Sequence, residues 1–427
     1  MSASPKTWSE RTAFAGFDWA SDHHDVVVVD GRGTVVEDFR IEETAEGWQR
    51  LRERLCRYAD LAVVVETCCG SAVERLLEAG FAIYPVNPMA AKRYRERKAP
   101  AGTKTDRMDA WSLADALRSD GHAWRALRPD DPLTVELRLL CRDEIGLIAQ
   151  RTALINQLRA ALREYYPVAL QAFEDWTMRS SWAFVERFPT PAALVQAGKR
   201  RWEKFLHTHK LYRPETYASR LALFATADQF CGSPAVTQAK SMLATGLAVQ
   251  LRVLQDQLDR YRARIEELFA RHPDHDLFGS LPGAGCKLAP RLLAELGDDR
   301  ARFDSAEGLQ CYVGTAPVSY QSGKVRKARF RRSCNKLLRQ TVHLWAGLSL
   351  KVCPWAQAYY EKKRSEGKSY ACALRCLAQR WLKILWKMWQ TRTSYDAELH
   401  QRNQLQHGSW VLQLMNPKTT GLAAGEA

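Results

Sequence analysis

No stretch of this chain is apolar for long enough to span a bilayer, and the opening segment MSASPKTWSERTAF lacks the apolar core of a secretory leader. A membrane partner is therefore not expected, and the reading is of a cytoplasmic protein. CxxC pairs are also missing, although there are eleven cysteines. A structural zinc site draws four ligands from paired spacings, and neither the adjacent Cys68-Cys69 nor Cys372/Cys376 supplies one. Reduced, mostly buried thiols are expected instead. Acid is short relative to base: Lys plus Arg number 63 against 48 Asp plus Glu, a formal charge of +15. That imbalance favours a phosphate-rich partner, and its placement along the chain matters more than its size.

The 427 residues suffice for two or three cores. AFAGFD (13–18), HDVVVVD (24–30) and Thr34–Arg40 read as three successive strands. A helix over 43–58, the apolar strand LAVVVE (61–66), a helix over 70–79 and the strand FAIYPV (81–86) follow. Three strands and then alternating helices and strands predict a mixed α/β sheet of ribonuclease-H type. Asp18 ends the first strand and Glu66 the apolar one, at the carboxyl ends where open α/β sheets hold ligands. Asp106 and Asp109 sit at i, i+3 on one face of the next helix. Four carboxylates drawn together would repel one another, and two divalent ions would relieve that and clamp a phosphate. Oxygen donors favour Mg²⁺ or Mn²⁺ over zinc. Each acid also has a plainer reading. Asp18 is a solvated strand end, Glu66 caps a helix, and Thr105 is a natural N-cap whose helix suits acids in its first turn. The four together favour the metal site.

Lys92, Arg93, Arg95, Arg97, Lys98, Lys104 and Arg107 read as a basic loop before that helix, either contacting phosphate or simply solvated. Residues 132–166 and 236–271 are long amphipathic patterns suited to an antiparallel coiled coil or to plain packed helices. Between them, 167–235 is aromatic-rich and includes Lys199-Arg200-Arg201. FGSLPGAGCKLAPRLLAELG (278–297) resembles a helix-hairpin-helix, whose glycines would admit a phosphate at a helix N-terminus. A glycine turn between packed helices is the alternative. From Lys324 to Arg339 stand eight basic residues (Lys324, Arg326, Lys327, Arg329, Arg331, Arg332, Lys336, Arg339) and no acid. A solvated surface normally mixes signs, so this run reads as a nucleic-acid contact, as do Lys104 and Arg107. Ser322, before a glycine, reads as a loop residue with an accessible hydroxyl or, taken alone, as a plain turn residue. The helical region 341–392 carries tryptophans that either stack on bases or fill a core. The boundaries read from sequence are 1–125, a catalytic α/β domain; 126–272, helical; 273–396, a mainly helical domain; and 397–427, a flexible tail.

GFDWASDHHDVVVVD, VVVETCCG, PVNPMAAKRYRERKAPAGTKTDRMDAWSLADAL, LPGAG…LLAELGD and YVGTAPVSYQSGK…NKLLRQ, in that order, resemble the DEDD transposases of insertion sequences. The resemblance covers about 13–120 and 275–345 and departs at Cys68-Cys69, where the family has Thr-Gly-type residues. It implies a RuvC-like domain in which Asp18, Glu66, Asp106 and Asp109 hold Mg²⁺ or Mn²⁺. It further implies a coiled coil and a C-terminal transposase domain whose nucleophilic serine matches Ser322, with Ser319 in reserve. Target and donor DNA, a structured guide (bridge) RNA and a homo-oligomer, dimer or tetramer, are the implied partners. Two other readings compete: a RuvC-like junction nuclease that uses water and no serine, and a non-catalytic nucleic-acid-binding scaffold.

Overall fold

The computed structural model describes residues 8–411 other than Cys69, and the chain divides into two compact units, 1–129 and 130–427. In the first, β1 (Ala13–Trp19), β2 (His23–Asp30) and β3 (Val35–Glu42) run as an antiparallel meander, followed by α1 (Ala45–Leu55), β4 (Leu61–Val65), α2 (Ser71–Glu78), β5 (Ala82–Pro85), α3 (Pro88–Lys98) and α4 (Asp106–Asp120). The five-stranded sheet has the order β3-β2-β1-β4-β5, with β4 parallel to both β1 and β5. It is the mixed α/β sheet the pattern predicts. Both faces are covered, which is why β4 is apolar and buried along its whole length. Leu51, Leu55, Val73 and Leu76 pack on one face, and Ala91, Ala110, Leu113 and Leu117 on the other.

One stretch departs from expectation. Residues 92–98, read as a basic loop, are helical. Asn87 caps α3 by accepting from the Ala90 amide, and Pro88 occupies the first turn. The lysines and arginines are good helix formers, and Lys92, Arg93 and Arg97 stay exposed while Arg95 and Lys98 turn to Asp109 and Asp115, so the run of charge conceals a helix. The loop proper spans 99–105.

The second unit is mostly helical. α5 (Pro132–Tyr165) and α10 (Pro234–Arg271) lie antiparallel, cross-linked by Arg262–Glu144, Arg151–Gln255 and Lys240–Glu164. Between them in sequence, α6 (Pro167–Ala172), α7 (Arg179–Arg187), α8 (Pro191–Thr208) and α9 (Pro214–Ala225) bury Trp176, Trp182, Phe184, Trp202 and Phe224. The aromatic wealth there is a core. α11 (His275–Gly279) and α12 (Gly285–Leu296) flank the Leu281–Ala284 turn. At Gly283, with φ +78, a side chain would meet the Ser349 amide at 2.8 Å, so this glycine serves helix packing. α13 (Ala306–Val313) leads to a hairpin, β6 (Val318–Ser322) and β7 (Val325–Arg329), and then to α14 (Lys336–Ser349), α15 (Pro354–Ser365), α16 (Tyr370–Thr391) and α17 (Ala397–Gln406).

Trp345, Trp381 and Trp389 are fully buried, so they fill the core and do not stack on bases. Of the expected flexible tail, 397–406 is helical and Trp410 stacks on Tyr359 at 5.4 Å; residues 412–427 lie outside the described part. Among the described cysteines only Cys141 and Cys353 are buried, against the expectation. Cys56, Cys231 and Cys286 are exposed, at helix ends or in a loop. No helix among the described residues is long and apolar enough to cross a membrane.

Candidate active site

Gly16 lets the two halves of the acidic cluster meet. A Cβ there would lie 1.9 Å from the Ala110 carbonyl oxygen, so only glycine allows α4 to rest directly on β1. Asp18 is two residues further along β1, on the same face. Thr105 starts α4 by accepting from the Met108 amide at 3.1 Å, which sets Asp106 in its first turn and Asp109 one turn on. Glu66 directly follows β4, beside β1. The four acids singled out in the sequence all line one cavity of ≈ 410 Å³, with Lys104, Arg95 and Lys92 on its rim.

Two further residues join them that sequence reasoning passed over. Asp25 is opposite Asp18 in the β1–β2 ladder and His23 lies two residues before it, so both point to the site. The signal was present in the alternation of His-His-Asp at the head of β2, but only strand pairing shows that it faces Asp18. His23 Nε2 lies 3.8 Å from Asp25 and 3.6 Å from Asp106, and one donor atom from each of these three residues falls within 4.8 Å of the others.

Burial pushes the Asp18 carboxyl up to about 7, helped by the charges of Asp109, Asp106, Glu66 and Asp25. Burial also raises Glu66, with Asp109 adding to it. Cations answer part of this repulsion. Arg95 holds Asp109 at 2.7 Å, and Arg40 holds Asp25 at 2.8 Å while reaching Asp106 at 3.4 Å. The donor set is rich in carboxylate oxygen and short of positive charge around Asp18, which suits a hard divalent cation. His23, Asp25 and Asp106 form one compact group of such donors.

The basic residues fall into distinct groups. Lys104 stands at the cavity, whereas Arg107 turns to Asp38 on β3. In the second unit Ser322 ends β6, so it belongs to a hairpin where a loop was expected. Gly323, at φ +55, and Lys324 make the two-residue turn, the geometry that favours glycine. Alternation along β6 separates the two serines, and cross-strand pairing sets what lies beside each. Ser322 shares a face with Tyr320, Lys327 and Arg329, while Ser319 shares the other with Gln321 and Arg326. The Arg329 guanidinium lies over Tyr320 at 4.2 Å. Every residue of both strands is exposed. Lys324, Arg326, Lys327, Arg332 and Lys336 are exposed too. Arg331 and Arg339 are half-buried, donating to the carbonyls of Ala316 and Arg331. Among the described residues none of the eight meets a carboxylate. Asn335 anchors this run, capping α14 through the Leu338 amide and donating to buried Glu295 at 2.6 Å.

Residues 15–167 match a family described as a transposase, of the DEDD and IS110 type, and residues 275–361 match the transposase IS116/IS110/IS902 family. The chain is 34% identical over 403 residues to the mini-circle putative transposase for IS117 of Streptomyces coelicolor, a match covering 91% of this chain and 96% of that one. It is 34% identical over 294 residues to the insertion element IS900 uncharacterized 42 kDa protein of Mycobacterium paratuberculosis, across 68% of this chain and 73% of the other. A shorter match, 27% over 128 residues, is to the pilin gene-inverting protein of Moraxella bovis, covering 29% and 39% respectively.

Proposed function

The chain belongs to the IS116/IS110/IS902 family of insertion-sequence transposases, and on that premise we propose that it cuts and rejoins DNA strands through a covalent phosphoserine, guided by a structured RNA. The observation that carries the chemistry is the convergence of Asp18, Glu66, Asp106 and Asp109 on one cavity. The guide RNA and the homo-oligomer, dimer or tetramer, rest on the family resemblance alone.

Strand exchange must conserve the energy of the phosphodiester bond, and a phosphoserine does so. The Ser322 oxygen attacks phosphorus, the bond to the 3′ oxygen breaks, and the serine proton is passed on as the 3′-hydroxyl is released. A 3′-hydroxyl on the same or the other DNA then attacks the phosphoserine, re-forming a phosphodiester and returning the serine hydroxyl. Mg²⁺ or Mn²⁺ held by the four acids would polarise the phosphate and make the serine hydroxyl more acidic. Lys327 and Arg329, on the face of Ser322, offset the charge that builds on the phosphoryl oxygens. Lys104 at the cavity and Lys324, Arg326, Arg331, Arg332, Lys336 and Arg339 position the backbone; Arg107 does so after exchanging Asp38 for phosphate.

The test is a denaturing gel after incubation with element-end DNA, guide RNA and Mg²⁺. Wild type yields a protein–DNA adduct, and Ser322→Ala yields none while still binding nucleic acid. An adduct that survives in Ser322→Ala and disappears in Ser319→Ala moves the nucleophile to the other face of the hairpin. Cleavage with no adduct in wild type would replace the serine route with water attack. Asp106→Asn abolishes cleavage.

A further inference from the structure

The helical insert between α5 and α10 carries a second concentration of unpaired positive charge, apart in sequence from the hairpin. α8 is broken at Gly198, whose φ of 73 and ψ of 165 are not helical. A fresh ten-residue helical segment follows, Lys199–Thr208. Its inner side buries Trp202, Phe205 and Leu206. Its outer side exposes Lys199, Arg200, Arg201 and Lys204, and the loop after it adds exposed Lys210 and Arg213.

Three properties make this surface unlike its surroundings. First, its charge is unanswered. Several other arginines of the second unit are matched: Arg138 with Asp130, Arg142 with Glu295, Arg179 with Asp256 and Asp259, Arg264 with Glu136, Arg300 with Asp274. On this surface only Lys199 meets an acid, Glu203 at 3.9 Å. Among the described residues Arg200, Arg201, Lys204, Lys210 and Arg213 meet none. Second, three cations occupy the first turn after the break, where the helix dipole disfavours them. Third, the scaffold is rigid. Trp202 donates to the Leu194 carbonyl at 2.7 Å across the break, and Phe205 packs on Phe184 and Phe188. Like charges held together on a fixed frame repel at a cost to the free protein, and an external polyanion relieves it.

We propose that this face of α8 binds the sugar–phosphate backbone of double-stranded DNA as an accessory site. Arg200, Lys204 and His207 lie at i, i+4, i+7 along one ridge and span about 10.5 Å at 1.5 Å per residue. That reach suits neighbouring phosphates on a duplex. The outward side chains are cations with His207, Thr208 and Tyr212, and the contact proposed is with the backbone, which carries no base sequence. Duplex DNA is chosen over RNA because transposases act on DNA. The inference does not depend on which serine is the nucleophile.

The experiment measures binding of the full chain to a 30-base-pair duplex of arbitrary sequence by fluorescence anisotropy, from about 50 to 200 mM KCl. The variant is Arg200→Gln/Arg201→Gln/Lys204→Gln, all at exposed positions, with the thermal melt as the folding control. The expected result is duplex affinity at least tenfold weaker at low salt. The slope of log affinity against log salt should shrink by about 2.7, at roughly 0.9 for each phosphate that is no longer neutralised. Arg271→Gln, which removes an exposed cation of the same unit outside this face, should bind the duplex as wild type does. An unchanged affinity and slope overturns the proposal. A weakening seen only with a folded RNA hairpin overturns its assignment to DNA.

Discussion

A methyl group on Gly16 would disturb two carboxylates it never touches. The Ala110 backbone cannot give way without moving α4, and Asp106 and Asp109 move with it. Gly16→Ala is expected to cost about 1–3 kcal/mol in urea denaturation, as overpacking does. Wild type is expected to gain melting temperature from Mg²⁺, and Gly16→Ala to lose that gain. Asp18 allows a prediction of opposite character. Its carboxyl titrates near 3.8 in the unfolded chain and at about 7 when folded without metal. Between those values the folded chain keeps a proton that the unfolded chain has released. Stability therefore falls as pH rises through this window. Melts in EDTA from pH 4 to 7.5 should show that decline, and Asp18→Asn should flatten it. Melts of wild type and variant that stay parallel across the window would show that burial and neighbouring charge do not raise this group.

Asn335 shows what one residue does for the elements around it. It starts α14, fastens the end of the basic run, and supplies one of the donors that keep Glu295 charged while buried. Burial alone would raise Glu295, but hydrogen bonds from Arg142 and Asn335 hold it below its ordinary value. Asn335→Ala should destabilise by about 2 kcal/mol, through removal of a cap and of a hydrogen bond to a charged group. Asn335→Ser should recover roughly the cap's share, about 1 kcal/mol; urea titrations of the two variants separate the two effects. At this scale much was legible in the sequence. The short apolar runs AFAGFD and HDVVVVD marked β1 and β2, the apolar run LAVVVE marked β4, and the long amphipathic patterns marked α5 and α10. The errors share a cause. α3 and the β6–β7 hairpin are so charged or exposed that hydrophobic periodicity, the main sequence signal, is missing from them. α3 shows itself only through the Asn87-Pro88 start, and the hairpin only through its Gly323 turn.

The molecule as a whole is two units, each with cores of its own. The first closes both of its cores within residues 8–129. A fragment ending at Pro129 should therefore fold alone, melt cooperatively and gain several degrees from millimolar Mg²⁺. A non-cooperative melt would show that the first unit needs the rest of the chain. The order of elements and the identity of the four acids were set by the sequence itself, because spacing alone decides which residues share a face or end a strand. Four things were decided only by the tertiary structure. Strand pairing brought His23 and Asp25 beside Asp18. Packing of α4 on Gly16 closed the acidic cavity, and the β3 edge drew Arg107 toward Asp38 and away from it. Cross-strand register put Lys327 and Arg329 on the face of Ser322 and Arg326 on that of Ser319. Each depends on which element lies against which, and no spacing within one segment carries that information.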